Sequence, residues 1–260
     1  MLNTLSIEHC GAVTRVTLRR PDIHNAMSPE LIQELQAAFL EVEATPQCRV
    51  VVLSAEGRSF CAGADLNWMK AAGEAPYAEN VRDAMHIADA LRAIHDCSRP
   101  VIGRVQGSAF GGGVGLVAVC DLVVASDSAR FAFSEVRLGL VPALIAPHVL
   151  QKLSPGATRR LFVTGEVFDA QLALGLGLVA AVAPAEQLDE QVDAWVRLLL
   201  RNGPEAMAAA KALVATASAL SFEEGLERMP DWIAERRASA EAREGVSAFL
   251  EKRKPAWAVE

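Results

Sequence analysis

The chain has 260 residues, enough for one α/β domain with a helical extension, and its 52% hydrophobic and 22% charged content excludes disordered, collagen-like and disulfide-scaffold classes. A formal net charge of -7 works against a role that rests on neutralising a nucleic-acid backbone. Five dispersed cysteines without a C-x-x-C pair suggest neither a disulfide framework nor a zinc site, and the first residues lack the pattern of a secretion signal or transit peptide, so a cytoplasmic protein without a membrane span is expected.

Val13, Val16 and Leu18, set among Thr and Arg, predict a strand that ends before Pro21. Ser28 is placed to cap a helix with Pro29 at its first position, and Leu31, Ile32, Leu35, Phe39 and Val42 recur at helical spacing up to Pro46. The β-branched run at 49–54 predicts a strand buried on both faces. A helix over 78–97, a strand over 101–105, a helix over 114–120 and a strand over 121–125 continue the alternation. Helical segments at 143–153, 156–164 and 169–175 precede a last short strand at 178–182. From 186 to 251 only helical periods remain, interrupted at Gly203-Pro204 and Pro230. The pattern predicts an α/β core over 1–200 and a helical region over 201–260.

Two segments are suited to binding an anion with main-chain amides. Phe60-Cys-Ala-Gly-Ala-Asp65 follows the strand at 49–54, and its small residues let a ligand approach the backbone. Gly111-Gly-Gly113 lies between a strand and a helix, where N–H groups and the helix dipole point the same way. Taken singly, each is more often a tight packing turn.

Together with RRPDIHNAM, FCAGADLNWM, VQGSAFGGGVGLVAVCDLVVAS, FSEVRLGL and FLEKRKPAW in that order, these segments make the chain resemble the crotonase, or enoyl-CoA hydratase/isomerase, superfamily over essentially its whole length. The resemblance implies a ββα spiral with a C-terminal helical trimerisation region, assembled as a homotrimer or a dimer of trimers. It implies an acyl-CoA substrate and no prosthetic group. The oxyanion hole would be the amides of Ala64 and Gly112, which stabilise a thioester enolate. Coenzyme A would lie near Ala26, Ala62, Asp65 and Leu66, with Arg20, Lys252 and Lys254 at its phosphates. The bland alternatives are a solvated charged face for the basic residues and a helix cap for Asp65.

Hydratases of this superfamily use two glutamates. The second matches Glu135, while the first falls on Gly115. A Glu among Phe131, Phe133, Val136 and Leu138 is expected to have a raised pKa and to move protons, the alternative being an exposed Glu paired with Arg137. A single carboxylate suits hydration or isomerisation of a double bond. A CoA-binding or RNA-binding protein that has lost catalysis is a third reading. GADLNWM, GGGVGLVAVCD and SEVRLGLVPALIAP are most similar to methylglutaconyl-CoA and isohexenylglutaconyl-CoA hydratases, which implies a branched or carboxylated acyl group, with Gly115 leaving it space. Trp68 and Met69 are candidates for the pocket wall, the commoner alternative being that they pack against the helix that follows. For His148 and Ser134, near these segments, a structural role is expected.

Overall fold

The apolar run at 50–55 forms β3 (Val50–Ala55), and all of it is buried. Strand periodicity divides its side chains between two cores. Val51 and Leu53 face the main core, while Val50 and Val52 join Ile102 and Val124 against Leu188, Val192 and Val196 of helix α8 (Leu188–Leu200). A strand covered on both faces reads as continuous hydrophobic sequence, which is why this one is legible without alternation. The computed structural model describes residues 2–258.

β3 sits within a six-stranded sheet ordered β1 (Leu5–Cys10), β2 (Val13–Leu18), β3, β5 (Val101–Val105), β7 (Leu122–Ser126) and β10 (Ala181–Ala183). Only β1 and β2 pair antiparallel. A second sheet is made of very short strands, β4 (Ser59–Cys61), β6 (Ser108–Phe110), β8 (Arg130–Ala132) and β9 (Phe168–Asp169), the first three parallel. The chain alternates between the sheets. It runs β3, β4 and helices α2 (Leu66–Glu74) and α3 (Tyr77–His95), then β5, β6 and α4 (Gly112–Val119), then β7, β8 and a 3-10 turn at Ser134–Leu138. This is the expected ββα spiral. Helices α5 (Ala146–Leu150), α6 (Pro155–Thr164) and α7 (Ala170–Leu176) follow before β10.

Helix α1 (Pro29–Ala44) begins as predicted, with the Ser28 hydroxyl accepting from Leu31 N and Pro29 at the first position. Its Leu31, Ile32, Leu35, Phe39 and Val42 are all buried. Beyond α8 the described chain is helical, with α9 (Pro204–Ser218), α10 (Phe222–Ala238) and α11 (Ala240–Leu250). The Glu241 carboxylate, on α11, caps α9 by accepting from Glu205 N at 2.8 Å and Ala206 N at 2.7 Å. Among the described residues, no helix is long and apolar enough to cross a membrane.

Candidate active site

The small sheet builds the site. Its parallel strands β4, β6 and β8 lie side by side, and the chain leaves their C-terminal ends into Ala64, Gly112 and Glu135 respectively. Three segments far apart in sequence thus meet at one edge, the place where open parallel sheets receive ligands. Ala64, Gly112 and Glu135 line one cavity of about 350 Å³, together with Met27, Trp68, Asp83 and Ile145.

Residue 64 is held by the loop 19–27. Met27 N donates to Gly63 O at 2.7 Å, and Asp65 N donates to Met27 O at 2.8 Å. In this parallel bridge Met27 bonds to both neighbours of Ala64, which turns the N–H of Ala64 to the opposite side. The loop is itself anchored by Asn25, fully buried, whose amide donates to Glu56 O and Ser59 O and whose Oδ1 accepts from Arg20 N. Gly63 has φ 95°, and a Cβ there would stand 2.9 Å from Phe110 O and 3.6 Å from Gly112 N. The two amide loops are therefore in direct contact, and Gly63 has no substitute.

Gly112 is the first residue of α4, so its N–H is among those without an intrahelical acceptor and lies at the positive end of the helix dipole. Gly111, at φ 51°, makes the turn, and a Cβ on it would be 3.3 Å from Glu135 Oε1. The carboxyl group of Glu135 thus packs against the glycine that precedes the Gly112 amide. Its Oε2 is buried with no hydrogen-bond partner, and no ion pair with Arg137 or any other described residue forms. Desolvation by burial raises its pKa above the ordinary 4.5, the backbone hydrogen bond that opposes this being the smaller effect. Cys61, beside the site, is no nucleophile: burial pushes its thiol up to about 12.

Of the residues expected at coenzyme A, Ala26, Ala62 and Asp65 fall on the two bonded loops and Leu66 opens α2, Ala62 and Leu66 being exposed. Arg20 begins the same loop and donates from Nη1 to Ala26 O at 2.7 Å. Asp65 caps α2 through Asn67 N and Trp68 N, the structural role allowed for it.

One expectation needs a neighbouring chain and one needs correction. Lys252 and Lys254 do not join this group within one chain. The C-terminal segment is fastened to the start of β3, where Arg49 donates to Trp257 O, whereas Arg20 follows the far end of β2, roughly 17 Å away along the paired strands. Nor does Gly115 leave space for substrate. A Cβ there would stand 2.3 Å from Ile145 Cγ2, so Ile145 occupies that volume and lines the cavity in its place.

Gly115→Ala is accordingly expected to destabilise the fold by about 1 to 3 kcal/mol through overpacking. In denaturant melts, the double variant with Ile145→Ala is expected to lose less than the sum of the single changes, a coupling that distant sites would not show.

The comparisons fit this geometry. The profile of the family described as enoyl-CoA hydratase/isomerase matches residues 8–260. The chain belongs to that family. A carnitinyl-CoA dehydratase of Proteus mirabilis is 34% identical over 263 residues, covering 99% of each chain. Among solved structures, an enoyl-CoA hydratase from Shewanella pealeana superposes with a TM-score of 0.95 at 36% identity, over 98% of this chain and 96% of the other. One from Mycobacterium smegmatis gives 0.93 at 35% identity, over 99% and 100%. Like these relatives, this member of the enoyl-CoA hydratase/isomerase family has the crotonase fold and is an enzyme of the hydratase and lyase type that acts on CoA thioesters.

Sequence reasoning passed over Asn25 and Asp83. Trp68 Nε1 donates to Asp83 Oδ1 at 3.2 Å, and both side chains line the cavity. Asp83 sits in a helix with exposed polar neighbours and carries no signal of its own; only the fold brings it to the site.

Proposed function

We propose that the enzyme adds water across the double bond of an α,β-unsaturated acyl-CoA, with the Ala64 and Gly112 amides as oxyanion hole and Glu135 as the proton-transfer group. The single observation that carries the reading is an unpaired buried carboxylate beside two touching amide loops in one cavity. As water adds to the β-carbon, charge moves onto the thioester oxygen, where preorganised donors lower the barrier. One carboxylate suffices if Glu135 takes a proton from the attacking water and returns it to the α-carbon. Its raised pKa favours such reversible transfer.

Isomerisation of a 3-enoyl-CoA is the second reading, favoured by the absence of a second carboxylate at position 115, where Ile145 fills the volume. Crotonyl-CoA and a 3-enoyl-CoA in oxygen-18 water separate the two. Label in a 3-hydroxyacyl product supports hydration, and a shifted double bond without label supports isomerisation.

A branched acyl group is compatible with the largely apolar wall formed by Met69, Ala72, Ala84, Ile87 and Leu140. A carboxylated one is disfavoured, because no Lys, Arg or His lines the cavity to pair with it.

For assembly, we infer that 201–260 is an oligomerisation region forming a trimer or a pair of trimers. What supports this is that neither α9 nor α10 buries a single residue, although Val214, Phe222, Leu226 and Ile233 are large, apolar and exposed. A neighbouring copy would also be needed to bring Lys252 and Lys254 to a coenzyme A site. Sedimentation of the intact chain is expected to give a multiple of three.

A further inference from the structure

The α2 and α3 wall of the acyl cavity is packed unlike the rest of the site. From 66 to 89 no residue is buried, and α3 enters the core only at Ala90, Leu91 and Ile94. Of the segment's side chains, Trp68 and Ile87 lean half-buried on the main core. Among the described residues, those side chains form no hydrogen bond or ion pair with another part of the fold. Their polar contacts are local: Glu79 with Arg82, Asp89 with Arg92, and Trp68 Nε1 donating to Asp83 Oδ1, which ties α2 to α3. Helix α2 has nine residues with Gly73 inside it, and Ala75-Pro76 interrupts the helical run, so propensity holds the segment no better than packing does. A stretch with so few buried contacts opens at a lower free energy than the core. Its two ends are fixed, by the bond of Asp65 N to Met27 O and by the burial of Ala90 and Leu91.

The same segment supplies Trp68, Met69, Ala72, Ala84 and Ile87 to the cavity of about 350 Å³. The space under it is therefore where its missing core would lie. We propose that 66–89 is a lid that closes on the acyl tail of the substrate, the tail supplying the apolar core that the protein does not. Tail and lid leave water together, which raises affinity by about fourfold for each methylene buried. Closure also keeps bulk water from the reacting carbons. Coenzyme A without an acyl group gives the lid nothing to bury and leaves it open. Trp68 is a positioning residue in this device, because its bond to Asp83 makes α2 and the start of α3 move as one body.

Lid closure rests on the acyl-CoA reading of the site, and the two can fail separately. Hydrogen exchange of the intact wild-type protein is followed by mass spectrometry without ligand, with saturating coenzyme A and with saturating hexanoyl-CoA, whose acyl chain has no double bond to hydrate. Amides at 66–89 are expected to exchange at least about tenfold more slowly with hexanoyl-CoA than with coenzyme A, while α1 exchanges alike in all three. Trp68→Phe, which keeps an apolar ring and loses the tie, is expected to speed exchange across both helices, and Asp83→Asn, which keeps an acceptor, to exchange like the wild type. Slow exchange of 66–89 in the free protein, or equal protection by coenzyme A and hexanoyl-CoA, overturns the lid. Hydration of crotonyl-CoA without protection by hexanoyl-CoA overturns the lid and leaves the hydratase reading standing. Protection by hexanoyl-CoA without hydration of any enoyl-CoA does the reverse. Neither binding of hexanoyl-CoA in calorimetry nor turnover of crotonyl-CoA overturns both. A Trp68→Phe segment that exchanges like the wild type overturns the role given to Trp68.

Discussion

Glu135→Gln is expected to lower kcat by about 10²- to 10⁴-fold while leaving KM within a few fold, because the amide keeps the shape of the side chain and loses only the ability to exchange a proton. Steady-state kinetics with the preferred enoyl-CoA checks this. In the wild type, kcat/KM is expected to rise with pH through an apparent value above the ordinary 4.5, since the base must be ionised and burial holds its pKa up; the variant should lack that limb. The same residue makes an opposite prediction for stability. Its folded pKa lies above its unfolded one, so no penalty exists below pH 4.5, where both states are protonated, and the penalty develops as pH rises through the folded value and the native state must bury a charge. Glu135→Gln is therefore expected to melt above the wild type at about pH 8, with the difference closing below pH 4.5. A variant that is less active and more stable at neutral pH is the signature of a carboxylate kept for chemistry rather than for the fold.

The second large effect concerns an atom that no side-chain substitution removes. Replacing Ala64 by lactic acid puts an ester oxygen where the N–H stands and leaves the methyl group in place. The loss of one oxyanion donor is expected to reduce kcat by about 10²- to 10³-fold, or roughly 2.7 to 4 kcal/mol. Glycolic acid at position 112 is expected to act alike, since Gly112 N–H has no acceptor in α4. Near-normal rates in either ester would remove that amide from the mechanism.

Legibility in the sequence follows the length over which a pattern runs. The buried strands β3 and β5 and helix α1 with its Ser28-Pro29 start carry enough residues for period and caps to be read. The strands β4, β6 and β8 have three residues each, too few for an alternation to develop, and yet they place Ala64, Gly112 and Glu135. β1 was missed too, because its LSIEHC is exposed over its second half. Ala64, Gly112 and Glu135 are singled out only through family motifs, since the glycine loops alone read as turns.

Other parts depend on contacts no local pattern records. The volume beside Gly115 is filled by Ile145, which arrives from the segment after β8 and its 3-10 turn. Asp83 reaches the cavity only because α3 packs along α2, and Lys252 and Lys254 are carried to the other end of β3 by the packing of the last helices. Asn25, in the left-handed conformation at φ 54°, was visible as a letter in RRPDIHNAM, but its role in fastening that loop emerges from three hydrogen bonds to the chain around it.

The most direct test is a crystal structure of Glu135→Gln with crotonyl-CoA bound. The thioester oxygen is expected within about 2.7 to 3.1 Å of both the Ala64 and Gly112 nitrogens, with the residue 135 side chain facing the C2–C3 bond. A thioester oxygen bonded to a side chain or to solvent, with those nitrogens directed elsewhere, would contradict the account.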